Sequence, residues 1–198
     1  MIDKTIAILA GGKSSRMNYN NKALLKFRDK TFIENIINST KDFMEVIIVA
    51  NNAELYKEFG VRVVKDIYLE QGPLSGIHSA LINSKTDKVL CIACDMPLIN
   101  EDVLTYIGNY DEEYEVLVPK YNDRLQPLCS IYSKVLIDII EDNLKKNKNK
   151  LQDLILNSNY KIIDRLNYRC FREEDFFNVN TPHDLEKIES EFENGKSN

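Results

Sequence analysis

Long apolar runs are missing from this sequence. Nothing in it approaches the roughly 18 consecutive apolar residues of a membrane helix, so no membrane span is expected. The opening stretch MIDKTIAILAGGKSSRM has only a short apolar run before glycines and charges, too brief for a secretory core with its small-residue cleavage site. A cytoplasmic location is therefore expected. Histidine is nearly absent: His78 and His183 are too few and too isolated for a zinc site or a Ser/His/Asp arrangement, and each is expected to fill core or surface. Cysteine is scarce as well. Without an export signal the four cysteines are expected to be reduced thiols, not disulfides. Cys91 and Cys94 do have the C-x-x-C spacing of a redox or zinc motif. The surrounding KVLCIAC is apolar and β-branched, however, so it predicts a strand, where positions i and i+3 face opposite ways and cannot share a metal. Cys129 and Cys170 stand alone, as small buried hydrophobes do. No linker rich in proline or glycine, internal repeat or low-complexity tract divides the chain. With 198 residues, 43% hydrophobic and 29% charged, it fits a single globular domain over residues 1–198 with the last few residues, NGKSN, frayed.

Positive charge is in deficit overall, with a net charge of −5, which argues against nucleic-acid binding. Residues 10–30 are the exception. Lys13, Arg16, Lys22, Lys26, Arg28 and Lys30 stand there against Asp29 alone, a net +5 that leaves −10 for the rest. A charge run of this kind can be a solvated loop. Placed after a strand and a Gly-Gly, it points instead to a bound polyanion.

The runs KTIAIL (4–9), EVIIVA (45–50), VRVVK (61–65) and KVLCIA (88–93) are short and β-rich, with helical patterns between them. Such alternation predicts βαβ units and an α/β, Rossmann-like fold, with a mostly parallel central sheet flanked by helices. In TFIENIINST, apolar Phe32, Ile33, Ile36 and Ile37 combine with the capping-box spacing of Thr31 and Glu34, which predicts a helix start. Thr181, Pro182 and Asp184 predict another for the last helix. The stretch 115–132 reads as two strands joined by a polar YNDR turn, a small hairpin or edge extension. A helix over 135–143 is expected to follow, ending in the cations of KKNKNK.

Four stretches could carry chemistry. In LAGGKSSRM, Gly11 and Gly12 follow the first strand and would let backbone N–H groups approach phosphates, with Arg16 and Lys22 to neutralise oxygens. The spacing is neither that of a Walker A loop nor that of a dinucleotide fingerprint. QGPLSG (71–76), a turn before HSALINS, is either a tight connection or, through Gly72 and Gly76, a place of close ligand approach at the sheet's carboxyl edge. Asp95 closes the strand CIACD at that same edge, where a carboxylate either caps a turn or serves as a hard-oxygen ligand for Mg²⁺, with Pro97 restricting the backbone. NVNTPHDL sets Asn178 and Asn180 two residues apart, on one face of an extended segment, as turn formers or as ligands.

Together, LAGGKSSRM with Lys22, the strand before Asn51, VVKD ahead of QGPLSG, CDMPLI and NVNTPHDL resemble, in order and spacing over residues 4–187, the molybdenum cofactor guanylyltransferase family of Rossmann-like nucleotidyltransferases. The resemblance implies transfer of GMP from GTP to the terminal phosphate of molybdopterin or Mo-molybdopterin, with release of pyrophosphate and with Mg²⁺ as cofactor. By position the nucleotide contacts fall on Leu9, Ala10, Gly11, Lys22, Asn51, Asp66 and Asp95, and the last of these would also touch the metal. The acceptor is expected near Gln126, Asn178 and Asn180. Other molybdenum cofactor proteins are conceivable partners; nucleic acid and membrane are not. Two positions depart from the family: Asn18 stands where it usually has glycine, and Asn21 where it usually has aspartate. Asparagine tolerates positive φ better than most residues, so the turn can survive. A cytidylyltransferase for the pterin or for a sugar or polyol phosphate, or a non-catalytic nucleotide-binding module, would use the same motifs.

Overall fold

The computed structural model describes residues 1–11, 21–164 and 171–194; Gly12, Lys13, Arg16, Asn18, Cys170 and the terminal 195–198 lie outside them. Along the chain come β1 (Ile2–Leu9), a 3-10 turn (Lys22–Leu24), β2 (Lys26–Phe27) and β3 (Lys30–Thr31), α1 (Phe32–Asn38), β4 (Phe43–Val49), a 3-10 segment (Ala53–Phe59), β5 (Arg62–Val64), α2 (Pro73–Asn83) and β6 (Lys88–Ala93). Then follow α3 (Glu101–Asn109), β7 (Val116–Tyr121), β8 (Arg124–Leu125), β9 (Cys129–Ser133), a 3-10 turn (Lys134–Leu136) running into α4 (Ile137–Lys145), α5 (Leu151–Leu156), β10 (Tyr160–Asp164), a 3-10 turn (Glu173–Phe176) and α6 (Pro182–Asn194).

The main sheet has the order β10-β7-β9-β6-β1-β4-β5, with β8 paired to β7; β2 and β3 form a separate small antiparallel ladder. β6, β1, β4 and β5 are mutually parallel, β10 is parallel to β7, and β9 runs antiparallel to both β6 and β7. The period-2 alternation of the strands splits their side chains between two cores. Ile6, Ile8, Leu90 and Ile92 enter one core with Ile33 and Ile36 of α1 and Val103 and Ile107 of α3. Ala7, Leu9, Val89 and Cys91 enter the other with Leu74, Ile77 and Leu81 of α2 and Ile140 and Leu144 of α4. A sheet covered on both faces explains why its strands read as continuous apolar runs. A third, smaller cluster of Phe27, Phe32, Leu98, Val179 and Ile188 fixes α6 against the β2–β3 ladder.

The expected caps form. Thr31 and Glu34 make a reciprocal capping box at α1, and Asp184 accepts from the N–H of Thr181 while its own N–H donates to the Thr181 hydroxyl. Two expectations need correction. Residues 115–132 are not a simple two-stranded hairpin: the turn at Asn122 and Asp123, both at positive φ, leads only to the two-residue β8, and the chain then returns as β9 between β6 and β7. Every residue of β9 is buried, as an interior strand requires. QGPLSG is not all turn either, because α2 starts at Pro73 and takes up the PLSG portion. Cys91 packs in one core and Cys94 against the other, so the pair does fall on opposite sides of the sheet.

Candidate functional site

The sheet order changes direction at β1: the chain moves outward through β4 to β5, then returns to place β6 on the other side of β1. Crevices at the carboxyl ends of strands beside such a switch are where open α/β sheets bind ligands. Here the ends of β1, β4, β5 and β6, together with the start of α2, line a cleft of about 800 Å³. Backbone bonds hold its rim: Ala10 N–H donates to Val49 O at 2.9 Å, Ala50 N–H to Val64 O at 2.9 Å and Cys94 N–H to Leu9 O at 3.2 Å.

Lys22 reaches into this cleft from the short 3-10 turn that Asn21 caps, where Asn21 Oδ1 accepts from Ala23 N–H at 3.1 Å. The Lys22 ammonium lies 3.3 Å from Asp95 Oδ2 and donates to Asn180 Oδ1 at 2.8 Å. Asp95 follows β6 and is tied to the C-terminal segment by its carbonyl, which accepts from Val179 N–H at 2.8 Å. That bond carries Asn180 to Lys22 across 158 residues of sequence. Asp184 accepts from Asn180 N–H at 2.8 Å and from Thr181 N–H, so the cap of α6 also anchors the segment.

Electrostatically the site holds acceptors in want of a partner. Among the described residues, Asp95 Oδ1, Asp66 Oδ1 and Gln71 Oε1 are buried side-chain oxygens without a hydrogen-bond partner, and all three residues line the cleft. Burial pushes the Asp95 carboxyl above its ordinary range, with the Lys22 charge pulling it partly back. Burial likewise raises Asp66, against an Asn51 amide that donates to its Oδ2 at 3.1 Å. The Asp66 N–H in turn donates to Asn51 Oδ1 at 3.2 Å, fixing β4's end to the loop after β5. At the rim, Gly72 precedes α2 with φ 69° and ψ −163°, a region that side-chain-bearing residues essentially avoid. Pro73 then opens the helix at N1, so the N–H groups of an 11-residue helix lie beside the cleft.

Of the residues singled out in the sequence, Leu9, Ala10, Gly11, Lys22, Asn51, Asp66, Gly72 and Asp95 all line this one cleft. Gly12 and Arg16 lie outside the described residues. Gln126 is not among the lining residues; it is half-buried, and its amide donates to Arg124 O at 3.3 Å. Asn180 touches Lys22, whereas Asn178 is exposed. Sequence reasoning missed Tyr56 in the wall, and within QGPLSG it singled out the glycines and not Gln71. Nothing in AELYKEF separates Tyr56, which is 1% exposed, from its neighbour Leu55 at 41%.

Among the described residues no group of three or more His, Cys, Asp or Glu side chains converges as a metal cage. Asp95, with its partnerless buried Oδ1, is nonetheless a donor that suits a dication carried in with phosphates, since Mg²⁺ is usually held by one or two carboxylates plus phosphates and water.

Residues 6–161 match the family described as the MobA-like NTP transferase domain. A probable molybdenum cofactor guanylyltransferase of Clostridium perfringens strain 13 is 52% identical over 192 residues, covering 95% of this chain and 97% of that protein. Another, from Pelotomaculum thermopropionicum, is 40% identical over 200 residues, covering 100% and 97%. Among solved structures, the molybdopterin-guanine dinucleotide biosynthesis protein A of Archaeoglobus fulgidus has the same fold, with a TM-score of 0.81 at 24% identity over 96% of this chain and 99% of that one.

Proposed function

From the premise that the chain belongs to the MobA-like NTP transferase family, we propose that it transfers GMP from GTP to the terminal phosphate of molybdopterin or Mo-molybdopterin and releases pyrophosphate. The observation that carries this reading is the Lys22–Asp95–Asn180 cluster at the switch point of the sheet, where a cation and a half-satisfied buried carboxylate face one cleft. The relatives named as guanylyltransferases support guanine as the base.

In this mechanism an oxygen of the acceptor phosphate, already ionised at neutral pH, attacks the α-phosphorus of GTP. The new O–P bond forms as the bond to the β-phosphate oxygen breaks, and pyrophosphate leaves with that electron pair. No covalent enzyme intermediate and no strong base are needed. The chain's work is to position the phosphates and stabilise their charge. Lys22, and Arg16 with it, neutralise the departing pyrophosphate. Gly11, Gly12 and Gly72 let the backbone come close to the phosphates, and Leu9 and Ala10 form the floor beside them. Asp95 would hold Mg²⁺ through Oδ1, where the ion supplies neutralisation of phosphate oxygens. Asp66, oriented by Asn51, offers a buried acceptor to N–H or O–H groups of the nucleoside. Guanine presents adjacent N–H donors on its pairing edge, and a base that leaves such an acceptor unpaired is strongly disfavoured. Gln126 and Asn178 serve the acceptor, whereas Asn180, bonded to Lys22, acts with it on the nucleotide side. The chain acts as one domain in the cytoplasm, where GTP is found. Among the described residues no helix is long and apolar enough to cross a membrane.

Competitive turnover tests the proposal. Purified protein with Mg²⁺, molybdopterin and equal GTP and CTP should yield the guanine dinucleotide in large excess. Preferential formation of the cytosine dinucleotide would make it a cytidylyltransferase, and nucleotide binding without transfer would make it a binding module.

A further inference from the structure

We propose that Tyr56 is a positioning residue for Lys22, acting through the side chain of Asn21. The inference rests on the assignment of Lys22 to the nucleotide's phosphates made above. Tyr56 comes from the 3-10 segment between β4 and β5, with its ring buried in the core beside Phe59 at a centroid distance of 6.3 Å. Its hydroxyl reaches the cleft wall and makes two bonds. It accepts from Asn21 Nδ2 at 2.7 Å and donates to the Ala10 carbonyl at 3.3 Å. Ala10 leaves β1 and Asn21 immediately precedes Lys22, so one hydroxyl ties the end of the central strand to the turn that carries the lysine.

The direction of every bond in this chain is set by its neighbours. Asn21 Oδ1 is committed to Ala23 N–H, the cap of the turn, so the amide nitrogen is the end that faces Tyr56. The phenol oxygen accepts that N–H, and its single proton is left for Ala10 O. Burial pushes the Tyr56 pKa above its ordinary value of 10, against the pull of the Asn21 bond, so the proton stays in place at working pH. An aspartate at 21 can only accept. It would draw the Tyr56 proton to itself and take it from Ala10, so the two bonds of the hydroxyl require the amide that Asn21 supplies. The relay from Ala10 O to Ala23 N–H thus brackets Lys22 in space, and from that fixed backbone its ammonium reaches Asp95 and Asn180. A hydroxyl anchored only at Ala10 would leave the turn free to shift, and the ammonium with it.

The test starts without nucleotide. Lysine amines of the full chain are labelled with limiting acetic anhydride, and the Lys22 rate is read by peptide mass spectrometry relative to Lys85, whose side chain is 76% exposed. Tyr56→Phe keeps the ring and removes the hydroxyl; it should raise the relative Lys22 rate about three- to tenfold, the range of one net hydrogen bond. Asn21→Ser keeps an oxygen to cap Ala23 but is too short to reach Tyr56, and it should give a similar rise. The double variant should be no worse than either single, because both remove the same bond. The same variants should weaken binding of GTP and of inorganic tripolyphosphate by comparable factors, since Lys22 serves phosphates and not the base. Unchanged Lys22 labelling in the folded variants overturns the inference, as does a strictly additive double variant, or faster labelling with unaltered phosphate binding. If labelling changes as expected but the wild-type protein binds neither GTP nor tripolyphosphate, the nucleotide assignment of the cleft falls and the link from Tyr56 to Lys22 stands.

Discussion

At Asp95 the two influences on a carboxylate's ionisation oppose each other. Burial drives its pKa above the ordinary 3.8, and the Lys22 ammonium 3.3 Å away draws it down without cancelling the rise. A raised folded-state pKa means that the carboxyl's contribution to stability is complete below about 3.8 and is lost as pH climbs through the folded value. Ionised Asp95 therefore costs stability in the folded protein. Asp95→Asn should fold, and between about pH 4 and about pH 7 its melting temperature should fall less than that of the wild type. Its transfer rate should drop about 10²-fold or more, as when a preorganised charge-stabilising group is removed. A scan of melting temperature against pH, paired with single-turnover transfer, checks both. The two asparagines separate at this scale as well. Asn180 Oδ1 shares the Lys22 ammonium with Asp95, while Asn178 is exposed. Asn180→Ala should therefore weaken GTP binding and transfer together, and Asn178→Ala should spare GTP affinity and affect only the use of molybdopterin; titration calorimetry with GTP distinguishes them.

Among the elements, α3 shows how closely the layers are fitted. Gly108 lies where an added Cβ would stand 2.8 Å from Phe43 Cζ and 3.0 Å from Ile2 Cδ1, at the base of β4 and β1. Alanine in a helix gains about 1 kcal/mol over glycine in propensity. Overpacking a closed core costs about 1–3 kcal/mol, and the neighbours here are a buried ring and a buried isoleucine. The second effect should win. Gly108→Ala is expected to lower the urea midpoint with an unchanged slope, by up to about 2 kcal/mol in the stability so derived. An increase in midpoint would show that Phe43 can move aside. The elements that sequence misplaced are of the same kind. β9 looked like the return arm of a hairpin because CSIY carries a pairing pattern in either position; only the places left open on β6 and β7 decide that it inserts between them. The start of α2 was hidden because Gly72, Pro73 and Gly76 punctuate turns and helix N-termini alike.

Over the whole molecule, a negative body carries a positive segment: the chain is −5, yet residues 10–30 are +5. The segment begins at the cleft, with Ala10 and Gly11, and delivers Lys22 into it. A polyanion is therefore attracted to this segment despite the net negative charge of the chain, and the attraction should weaken as salt screens it. GTP association measured by stopped flow should slow several-fold from about 0.05 M to about 0.5 M salt, with a smaller change in dissociation. An association rate indifferent to salt would sink this picture. The α/β class, the caps of α1 and α6 and the positions of Lys22 and Asp95 beside the glycine loop and at a strand end were legible from local pattern, because period, cap spacing and strand-end position are properties of short stretches of chain; Asp66 was picked out only through the family resemblance. The contacts within the site were not legible in this way. Asn180 on Lys22, Val179 on the Asp95 carbonyl and Tyr56 between Ala10 and Asn21 join residues 158, 84 and 46 or 35 positions apart. No local pattern encodes such pairings, since each side chain is compatible with many neighbours; only the packing of two cores on one twisted sheet decides which of them meet.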